Sequence, residues 1–390
     1  MKKPTQVNHP PKVELPADNH AVVPPIYQSV KFEFDSVEET ERYLRGERSG
    51  FFYTRTSNPT TRQLELLLAE LQGRDECLVT ASGVGAVAQT LLALCKERDH
   101  ILCFVETYNP TRYLIRRLLG RFGVTHTLIS IEDLAGVERA LAERPTRLVL
   151  FESPTNPVNK VADIAALTRL ARAAGALTVM DNTFAGPHQH GEYEVDIFVH
   201  SLTKYASGAG DVLGGAVIGR GELIRSLRTD FGALGGTLDP HAAFLVLRGL
   251  KTYFVRYRAQ SASAQRVAEL LASHPAVARV HYPGLPDHPQ HALARAQMRD
   301  FGAIVTFDLK GGREAAGRFA DALKLFAIAA SLGSSESLVM PARMMSSRDL
   351  TPEQQKSSAI TEGTVRLSIG LEDIDDLLED LTRALAAAAA

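Results

Sequence analysis

The chain has 390 residues, of which 45% are hydrophobic and 23% are charged, and its formal net charge is −2. This composition is typical of a globular protein, and the length allows two or three domains with a large core. The charge balance, without basic blocks, gives no support to binding of nucleic acid or of an anionic membrane. Lys2 and Lys3 precede polar residues, and no apolar run approaches a membrane span, so the sequence predicts no signal peptide and a cytoplasmic protein.

Residues 1–50 are predicted to form an N-terminal arm and an extended segment. The stretch up to about residue 23 is polar and rich in proline, and residues 22–34 have the pattern of extended chain. Residues 37–48 carry charges at helical spacing. A turn at Asn58-Pro59-Thr60 and an amphipathic helix over residues 61–72 follow.

From residue 76 to residue 219 the pattern alternates between strands and helices. We predict strands at 76–80, 101–105, 124–130, 148–151, 177–180, 195–200 and 215–219, and helices up to residue 94 and at 110–122, 133–143 and 161–174. Such alternation produces a mostly parallel sheet with helical crossovers. The sequence therefore predicts a large α/β cofactor-binding domain over residues 51–245.

The pattern changes after about residue 245. A long helical stretch over residues 241–273 leads to strands at 277–280 and 304–309, and further helices are predicted at 313–322 and near 374–386. Fewer strands, with helices on one side, are typical of an α+β domain. We predict such a smaller C-terminal domain over residues 246–390.

Polar side chains follow four predicted strands at their carboxyl ends. The most prominent is Lys204, which comes after the apolar run 195–200 and before a glycine-rich segment. The other residues singled out at these ends are Ser82, Gly83 and Val84, then Asn156, then Asp181 and Thr183, then Ser201 and Thr203. Because open parallel sheets bind ligands outside the carboxyl ends of their strands, we expect these residues to form one site.

The residue types at these strand ends point to one cofactor. A helix start such as Ser82-Gly83 offers free N–H groups and positive dipole charge to a phosphate. No GxxxxGK[ST] motif follows a strand, so a nucleotide loop of that type is excluded. A phosphate site, a carboxylate and a lysine suit pyridoxal 5′-phosphate, which forms a Schiff base with lysine and needs an acidic partner for its ring nitrogen.

The cysteines and histidines do not predict a metal site. Cys77, Cys95 and Cys103 lie in apolar segments at spacings that match no zinc pattern, so buried reduced thiols are expected. Two groups of histidines lie in Pro- and Gly-rich loops without a matching set of Cys or carboxylate ligands. We predict that these histidines lie on the surface; they are His188, His190, His281, His288 and His291.

Seven motifs resemble, in order and spacing, those of the Cys/Met-metabolism family of fold-type I pyridoxal-phosphate enzymes. This is the group of cystathionine γ-synthase, cystathionine γ- and β-lyases and methionine γ-lyase. The motifs extend over nearly the whole chain and are Tyr53-Thr-Arg55 with Asn58-Pro59-Thr60, Ser82-Gly83, Tyr108, Glu152-Ser-Pro-Thr-Asn156-Pro, Asp181-Asn-Thr183, Ser201-Leu-Thr203-Lys204-Tyr205 and Arg366-Leu-Ser-Ile-Gly-Leu-Glu-Asp. The resemblance implies an aspartate-aminotransferase-like fold, with a mostly parallel central sheet and a smaller C-terminal α+β domain.

The resemblance also implies roles for single residues. Lys204 and Tyr108 are the implied catalytic residues, and the Tyr108 ring stacks on the cofactor. Asp181 would hold the ring nitrogen proton and Asn156 the ring hydroxyl. The implied cofactor-binding set is Tyr53, Arg55, Ser82, Gly83, Val84, Tyr108, Asn156, Asp181, Thr183, Ser201, Thr203 and Lys204. The implied substrate residues are Arg366, which would bind the substrate carboxylate, with Ser331 and Ala330.

Tyr53 and Arg55 imply an oligomer. In the family that the chain resembles, the matching residues reach across to the cofactor phosphate of a neighbouring subunit, and the planar fork of arginine suits a phosphate. The resemblance therefore implies active sites shared between subunits. It also implies a homotetramer, assembled as a dimer of dimers.

Several positions depart from the family pattern and leave the substrate open. Ala330 stands where γ-synthases and γ-lyases carry a glutamate before Ser-Leu-Gly, and Pro110 stands where methionine γ-lyases have a cysteine. Met344-Met345-Ser346 stands where γ-type members usually have Met-Thr-His, and Ala209 stands where a histidine is common. The chain also contains no tryptophan, whereas proteobacterial β-lyases have one near this part of the pocket. The cofactor residues are intact, so these changes concern the substrate pocket.

The resulting functional prediction is an elimination or replacement at Cβ or Cγ of a sulfur-containing or related amino acid. We favour elimination of the cystathionine-lyase type, which would release a thiol or equivalent leaving group, ammonia and a keto acid. One alternative is γ-replacement on an O-acylhomoserine, as in a cystathionine γ-synthase or a sulfhydrylase. The alternative from another class is a non-catalytic protein that binds pyridoxal phosphate, against which the intact Lys204, Asp181, Tyr108 and Arg366 argue.

Overall fold

The computed structural model of the chain describes residues 19–341, 344 and 349–389. Residues 1–18 of the predicted arm, and the departures Met345 and Ser346, lie outside the described residues. The helices are α1 (Val37–Leu44), α2 (Pro59–Gln72), α3 (Gly83–Leu94), α4 (Asn109–Tyr113), α5 (Leu134–Glu143), α6 (Ile164–Ala173), α7 (Gly221–Leu234), α8 (Pro240–Leu250), α9 (Tyr253–Ser273), α10 (His291–Gln297), α11 (Gly312–Ala322), α12 (Pro352–Ser357) and α13 (Ile374–Ala389). The strands are β1 (Glu76–Thr80), β2 (His100–Phe104), β3 (Thr125–Ile129), β4 (Leu148–Glu152), β5 (Leu177–Asp181), β6 (Ile197–Ser201), β7 (Gly215–Gly219), β8 (Val277–His281), β9 (Ile304–Leu309), β10 (Ala327–Ile328), β11 (Leu338–Pro341) and β12 (Thr364–Ser368).

The larger sheet has seven strands in the order β1-β7-β6-β5-β4-β2-β3. The strands from β6 to β3 pair in parallel, and β7 pairs antiparallel with both of its neighbours. The prediction of a mostly parallel central sheet is confirmed. The carboxyl ends of β4, β5 and β6 consequently lie side by side at one edge.

The core of the larger sheet follows from the alternation of side chains along its strands. In β2 and β4 every residue is buried, as expected for strands covered by helices on both faces. Alternate residues belong to two separate apolar clusters, one on each face. One cluster contains residues of α2 and α6, and the other contains residues of α3 and α7. The sheet is therefore a rigid platform for residues at its strand ends.

The smaller sheet has five strands in the order β10-β11-β12-β9-β8. The three pairs from β11 to β8 are antiparallel, and β10 pairs in parallel with β11. Residues of α11 and α13, such as Phe319 and Leu381, share an apolar cluster with Phe307 of β9. This matches the predicted α+β part. The proposed boundary between residues 245 and 246 falls within α8 and stays a prediction.

Local sequence explains where several helices begin and end. Asn58 caps α2 by accepting a hydrogen bond from the backbone N–H of Thr60, and Pro59 occupies the first helical position. The helix ends at Gly73, whose φ of 66° is in the left-handed region that glycine adopts most easily. Thr351 and Gln354 form a capping box at the start of α12.

Two predicted helices are wrong in detail. The stretch 241–273 is divided into α8 and α9, because the chain turns at Lys251 and Thr252. The stretch 110–122 is helical throughout, but α4 continues as a π turn over Leu114–Leu118 and a 3₁₀ turn over Leu119–Phe122. Apolar periodicity predicts that a segment is helical and does not predict such changes in winding.

The prediction of surface histidines is wrong for His190, His281 and His288, which are 1%, 4% and 8% exposed. Each ring has a polar partner for one of its nitrogens within the fold, while the Nε2 of His190 is buried without a partner among the described residues. His190 bonds Asn182 at 2.8 Å, and His281 bonds Asp308 at 2.8 Å. Burial lowers the pKa of His190 to about 3, so this ring is neutral in the folded protein.

The cysteines are free thiols, and Cys77 and Cys103 are buried as predicted, whereas Cys95 is half-buried. Among the described residues, no group of three His, Cys, Asp or Glu side chains is arranged to hold a metal ion. In that same part of the chain, no helix combines the length and the apolar character needed to cross a bilayer.

Candidate active site

A cavity of about 570 Å³ lies at the carboxyl ends of β4, β5 and β6 and extends to residues of the smaller sheet. Its size is typical of small-molecule sites. Thirteen of the fifteen predicted site residues line it, namely Ser82, Gly83, Val84, Tyr108, Asn156, Asp181, Thr183, Ser201, Thr203, Lys204, Ala330, Ser331 and Arg366. The two exceptions are Tyr53 and Arg55. The structure therefore brings together residues that are dispersed over most of the sequence.

The start of α3 forms a corner of the cavity that is suited to an anion. Ser82 is the N-cap, and its hydroxyl accepts a hydrogen bond from the Gly85 N–H at 3.0 Å. The N–H groups of the first helical turn have no acceptor within the helix and carry the positive end of its dipole. A Cβ on Gly83 would lie 2.6 Å from the Cβ of Ser201. Glycine is thus required for the helix start to approach β6 so closely.

Asp181 lies at the end of β5 and is held by the next turn. Its Oδ1 accepts the backbone N–H of Thr183 at 3.0 Å, and the Thr183 hydroxyl accepts the N–H of Ser201 at 2.8 Å. This hydrogen-bond chain fixes the carboxylate relative to β6. Burial raises the pKa of Asp181, while hydrogen bonds from Thr183 and the nearby Lys204 act in the opposite direction.

Glu152 is a cavity residue that was absent from the predicted site. It ends β4 and pairs in register with Asp181 on the neighbouring strand, so the buried Glu152 and the half-buried Asp181 lie side by side. Burial and the charge of Asp181 raise the pKa of Glu152 to about 8. Its carboxylate accepts a hydrogen bond from the backbone N–H of Tyr108. The signal available in the sequence was a carboxylate directly after an apolar run, next to the strand that ends at Asp181.

Lys204 follows β6, and its amine reaches across the cavity to the smaller sheet. The Nζ donates a hydrogen bond to the Ser331 hydroxyl at 2.9 Å. Burial, and secondarily the positive charge of Arg366, lower the pKa of the amine to about 8. Ser331 has φ of 100°, a backbone conformation that is strained for any residue except glycine. Such strain is often found where a side chain or carbonyl must be aimed at a site.

Arg366 lies in the middle of β12 and is 5% exposed. Its guanidinium donates to the Asn156 side-chain oxygen at 2.9 Å and to the Ser331 carbonyl at 2.9 Å, and it contacts the Met340 sulfur at 3.4 Å. None of these partners carries a negative charge, and its Nε has no hydrogen-bond partner among the described residues. Burial lowers the pKa of Arg366 to about 10. A buried cation with spare hydrogen-bonding capacity is suited to an anionic ligand such as a carboxylate.

Tyr108 and Ala330 both line the cavity. Tyr108 is the N-cap residue of α4 and is 41% exposed, so it is accessible for contact. Partial burial raises the pKa of the Tyr108 hydroxyl. Ala330 is exposed and precedes the strained Ser331.

Tyr53 and Arg55 lie outside this cavity. The Arg55 guanidinium donates to the Gly232 carbonyl at 2.7 Å and lies 5.6 Å from the centre of the Tyr53 ring. Tyr53 is 41% exposed. Within one chain, these two residues therefore contribute nothing to the site that contains Lys204.

The remainder of the cavity lining is mostly apolar. These residues were not predicted from the sequence as site residues, apart from Pro110 and Met344, which were noted as departures, and they include Val87, Pro110, Leu213, Met340, Met344, Leu350 and Ile360. Two charged lining residues are already paired. Glu106 bonds Lys160 at 2.8 Å, and Arg112 bonds Asp349 at 2.9 Å.

The comparisons with known proteins agree with this geometry. A model of the family described as "Cys/Met metabolism PLP-dependent enzyme" matches residues 5–386. The chain belongs to this family. It is 43% identical over 373 residues to an L-methionine gamma-lyase of Pseudomonas putida, covering 95% of this chain and 94% of that protein. It is 39% identical over 364 residues to an O-succinylhomoserine sulfhydrylase of Pseudomonas aeruginosa, covering 93% and 90%.

A solved structure of cystathionine gamma synthase from Xanthomonas oryzae pv. oryzae matches this fold with a TM-score of 0.89 at 38% identity, covering 95% of this chain and 94% of that chain. The predicted family, fold class and cofactor are thereby confirmed. The chain is a pyridoxal-phosphate-dependent enzyme of the group that carries out eliminations and replacements in sulfur-amino-acid metabolism.

The cavity residues of this member of the family fit pyridoxal 5′-phosphate. The N-terminus of α3 with the hydroxyls of Ser201 and Thr203 suits the phosphate, and the paired carboxyls of Asp181 and Glu152 suit a protonated ring nitrogen. Without a cation, burying two neighbouring carboxylates is unfavourable, as the raised pKa of Glu152 indicates. The Lys204 amine lies in the same cavity, where a carbonyl group of the cofactor could react with it.

Proposed function

We propose that the chain catalyses elimination at Cγ or Cβ of a sulfur-containing amino acid and releases a thiol or similar leaving group, ammonia and a keto acid. The observation that carries the proposal is the Lys204 amine, whose pKa is lowered to about 8 and which shares the cavity with Arg366 and Asp181. This arrangement unites a base, a carboxylate-binding cation and a cofactor-binding acid. The similarity to an L-methionine gamma-lyase supports elimination as the reaction.

Each residue would act on a different part of the bound amino acid or of the cofactor. Pyridoxal phosphate supplies an electron sink that acidifies the proton on Cα. Lys204 would accept that proton, because an amine with a lowered pKa is neutral in a larger fraction of molecules near neutral pH. Arg366 would bind the substrate carboxylate, and its rigid hydrogen bonds to Asn156 and Ser331 would fix the orientation of Cα.

The cofactor itself would be held by the strand ends. Ser82, Gly83 and Val84 with Ser201 and Thr203 would bind the phosphate, Asp181 the ring nitrogen, and Asn156 the ring hydroxyl. Tyr108 would cover one face of the ring, supported by the hydrogen bond of its N–H to Glu152. Thr183 would act through Asp181, which it orients.

We propose further that the substrate has an uncharged, largely apolar side-chain end. Among the described residues, the apolar part of the cavity wall includes Leu213, Leu350 and Ile360, and Ala330 contributes no charge. The charged groups Glu106 and Arg112 are neutralised by Lys160 and Asp349. The distal ammonium of cystathionine would find no free carboxylate there, and an unpaired buried charge is costly. A thioether with a short alkyl end fits this wall better.

A second candidate reaction is γ-replacement on an O-acylhomoserine. The similarities to an O-succinylhomoserine sulfhydrylase and to a cystathionine gamma synthase favour it. Replacement and elimination would use the same lysine, arginine and cofactor residues. The outcome then depends on whether an added nucleophile, or instead a proton or water, reacts first once the leaving group has departed.

We propose shared active sites in a dimer, with two dimers paired as a tetramer. Tyr53 and Arg55 belong to the family motifs found in the sequence, but they lie outside the cavity of their own chain. This supports a role in the cavity of a second subunit. Their exposed position leaves them accessible to a second subunit. The cytoplasmic location stays a prediction from the sequence.

The proposed function is tested by a keto-acid and ammonia assay of the purified holoenzyme over a panel of amino acids. The panel contains methionine, homocysteine, cysteine, cystathionine, and an O-acylhomoserine with and without an added thiol. We expect keto acid from methionine or another uncharged thioether with a higher kcat/KM than from cystathionine. Thioether formation from the O-acylhomoserine and thiol, with little keto acid from any member, would instead support γ-replacement.

A further inference from the structure

Two segments from different halves of the molecule face each other beside the active site. The first is the loop of residues 105–107, which follows β2 and leads directly into Tyr108. The second is the stretch of residues 349–358, which contains α12 and precedes β12 of the smaller sheet. Both contribute to the cavity wall, the second through Leu350 and Ser358. Their separation therefore sets one dimension of the cavity.

Arg112 connects the two segments at one end. Its Nε and one Nη bond the two carboxylate oxygens of Asp349, each at 2.9 Å, in a bidentate pair. The other Nη donates to the backbone carbonyls of Val105, at 3.0 Å, and Thr107. The Arg112 side chain is 5% exposed. One buried guanidinium thus holds the loop and the facing segment at the same time. The partly exposed Arg116 gives the Asp349 carboxylate a second cation contact at 3.1 Å and also bonds the Asp349 carbonyl.

Lys160 connects them at the other end. Its Nζ bonds the carboxylate of Glu106 at 2.8 Å and the carbonyl of Ser357 at 2.6 Å. Glu132 gives a second, partly exposed carboxylate contact at 2.6 Å. Glu106 is itself fixed, because it accepts the N–H of Ile131 at 3.1 Å. Arg112 therefore bonds residues 105 and 107 of the loop, and Lys160 bonds residue 106 between them.

We propose that Arg112 and Lys160 form a clamp, in which each buried cation positions residues 349–358 against the loop of residues 105–107 and so sets the width of the substrate cavity. The two are positioning residues, since in this arrangement they act through the wall and not on the reacting atoms. Removing one partner of a buried ion pair leaves the other charge uncompensated, so the wall must shift to let water reach it. The Tyr108 N–H stays bonded to Glu152, so the cofactor side should move less than the wall.

The role in substrate binding rests on the proposed function, whereas the positioning of the wall does not. The first test is therefore hydrogen–deuterium exchange of the holoenzyme, comparing the unmodified protein with Asp349→Asn. We expect faster exchange in peptides covering residues 349–358 and unchanged exchange in α13. The matched control is Arg266→Met, which breaks an exposed ion pair with Asp375 and should leave exchange in residues 349–358 unchanged.

The second test is steady-state kinetics with the best substrate of the panel. Asp349→Asn should raise KM about tenfold or more and change kcat by less than about threefold, because misplacing a binding wall by a fraction of an ångström weakens positioning. The visible absorbance of the bound cofactor should not change. The double variant Lys160→Met with Glu106→Gln removes both charges of the other pair, which avoids an unpaired buried charge, and should also raise KM.

Unchanged exchange in residues 349–358 together with unchanged KM in both variants would overturn the clamp. Faster exchange with unchanged KM would overturn its role in substrate binding. If no panel member reacts with the unmodified protein, the proposed function fails, and the exchange comparison still decides whether the clamp exists. Partial recovery of KM by Lys160→Arg relative to Lys160→Met would support a charge-specific role over simple loss of packing.

Discussion

The cavity has two sides that are built in different ways. The proposed cofactor side contains Ser82, Asp181 and Lys204 with their neighbours, at strand ends of the larger sheet and at the start of α3. The proposed substrate side contains Ala330, Ser331 and Arg366 with Leu350 and Ser358 of residues 349–358, from the smaller-sheet half. On the cofactor side the polar groups are aimed by the backbone of adjacent strands. On the substrate side they are aimed by side-chain bonds between distant segments.

This difference affects how each side should respond to single substitutions. A strand end is fixed by the whole sheet, so the cofactor residues can keep their positions while single residues elsewhere are replaced. The substrate side depends on a few contacts, such as Arg366 with Ser331 and Arg112 with Asp349. The departures from the family pattern that lie within the described residues of the cavity, Pro110, Ala330 and Met344, contribute to its wall and leave the cofactor residues in place.

The largest expected effect tests the cofactor side. Lys204→Ala should abolish covalent attachment of pyridoxal phosphate and reduce turnover by about 10³-fold or more, because both need the same amine. Absorbance of the reduced, denatured protein measures attachment, and the keto-acid assay measures turnover. Lys251→Ala changes an exposed lysine at the end of α8 and serves as the control. Normal turnover with retained attachment in Lys204→Ala would contradict the assignment.

The next effect concerns the charge state of the same lysine. Only the neutral amine attacks a carbonyl, and the pKa of Lys204 in the cofactor-free protein is about 8. The rate of cofactor attachment to the apoprotein should therefore rise about tenfold from pH 6 to 7 and about fivefold from pH 7 to 8, and level off above about pH 9. Stopped-flow absorbance after mixing with pyridoxal phosphate measures it. A rate that keeps rising to pH 10 would show that burial does not lower the pKa of this amine.

A mixing experiment asks whether the cofactor side is complete within one chain. Arg55→Ala and Lys204→Ala should each be nearly inactive, and a mixture with subunit exchange should recover about a quarter of the unmodified activity. Half of the dimers would be hybrids, and each hybrid would contain one site with neither defect. Native mass spectrometry confirms that exchange has occurred. No recovery after complete exchange would mean that Arg55 does not serve a partner's site.

The smallest effect concerns the substrate side. Ala330→Glu should raise the ratio of kcat/KM for cystathionine to that for the best panel substrate about tenfold, because the new carboxylate can pair with a distal ammonium. Ala329→Glu is the matched control, since the neighbouring Ala329 does not line the cavity. An unchanged ratio would show that residue 330 does not contact the substrate.

Much of the cofactor side could be predicted because it depends on local patterns. An apolar run followed by Asp181 or by Ser201, Thr203 and Lys204 indicates a buried strand and its polar end in one short stretch. Ser82 and Gly83 likewise indicate a helix start. Parallel strands then bring their carboxyl ends to one edge whatever the loops between them do. Glu152 also stands directly after an apolar run. That it lies beside Asp181, however, depends on the order of the strands in the sheet.

The substrate side and the buried histidines could not be predicted in the same way. His190 and His281 lie in segments with the composition of surface loops, and only contacts with Asn182 and Asp308 explain their burial. Similarly, the position of Arg112 in the sequence is that of an ordinary helical arginine, and only the fold shows that it pairs with Asp349.

The amino-acid sequence by itself determined the strand-helix order, the polar strand ends and hence the class of cofactor. These features follow from hydrophobic periodicity and residue chemistry within short windows. The tertiary structure alone decided that Arg366 lies beside Ser331 and Asn156, that Glu152 pairs with Asp181, and that two buried cations join residues 105–107 to residues 349–358. The physical reason is that a hydrogen bond depends on the distance and direction between two groups in space. For residues far apart in the sequence, these are set only when the two sheets pack together.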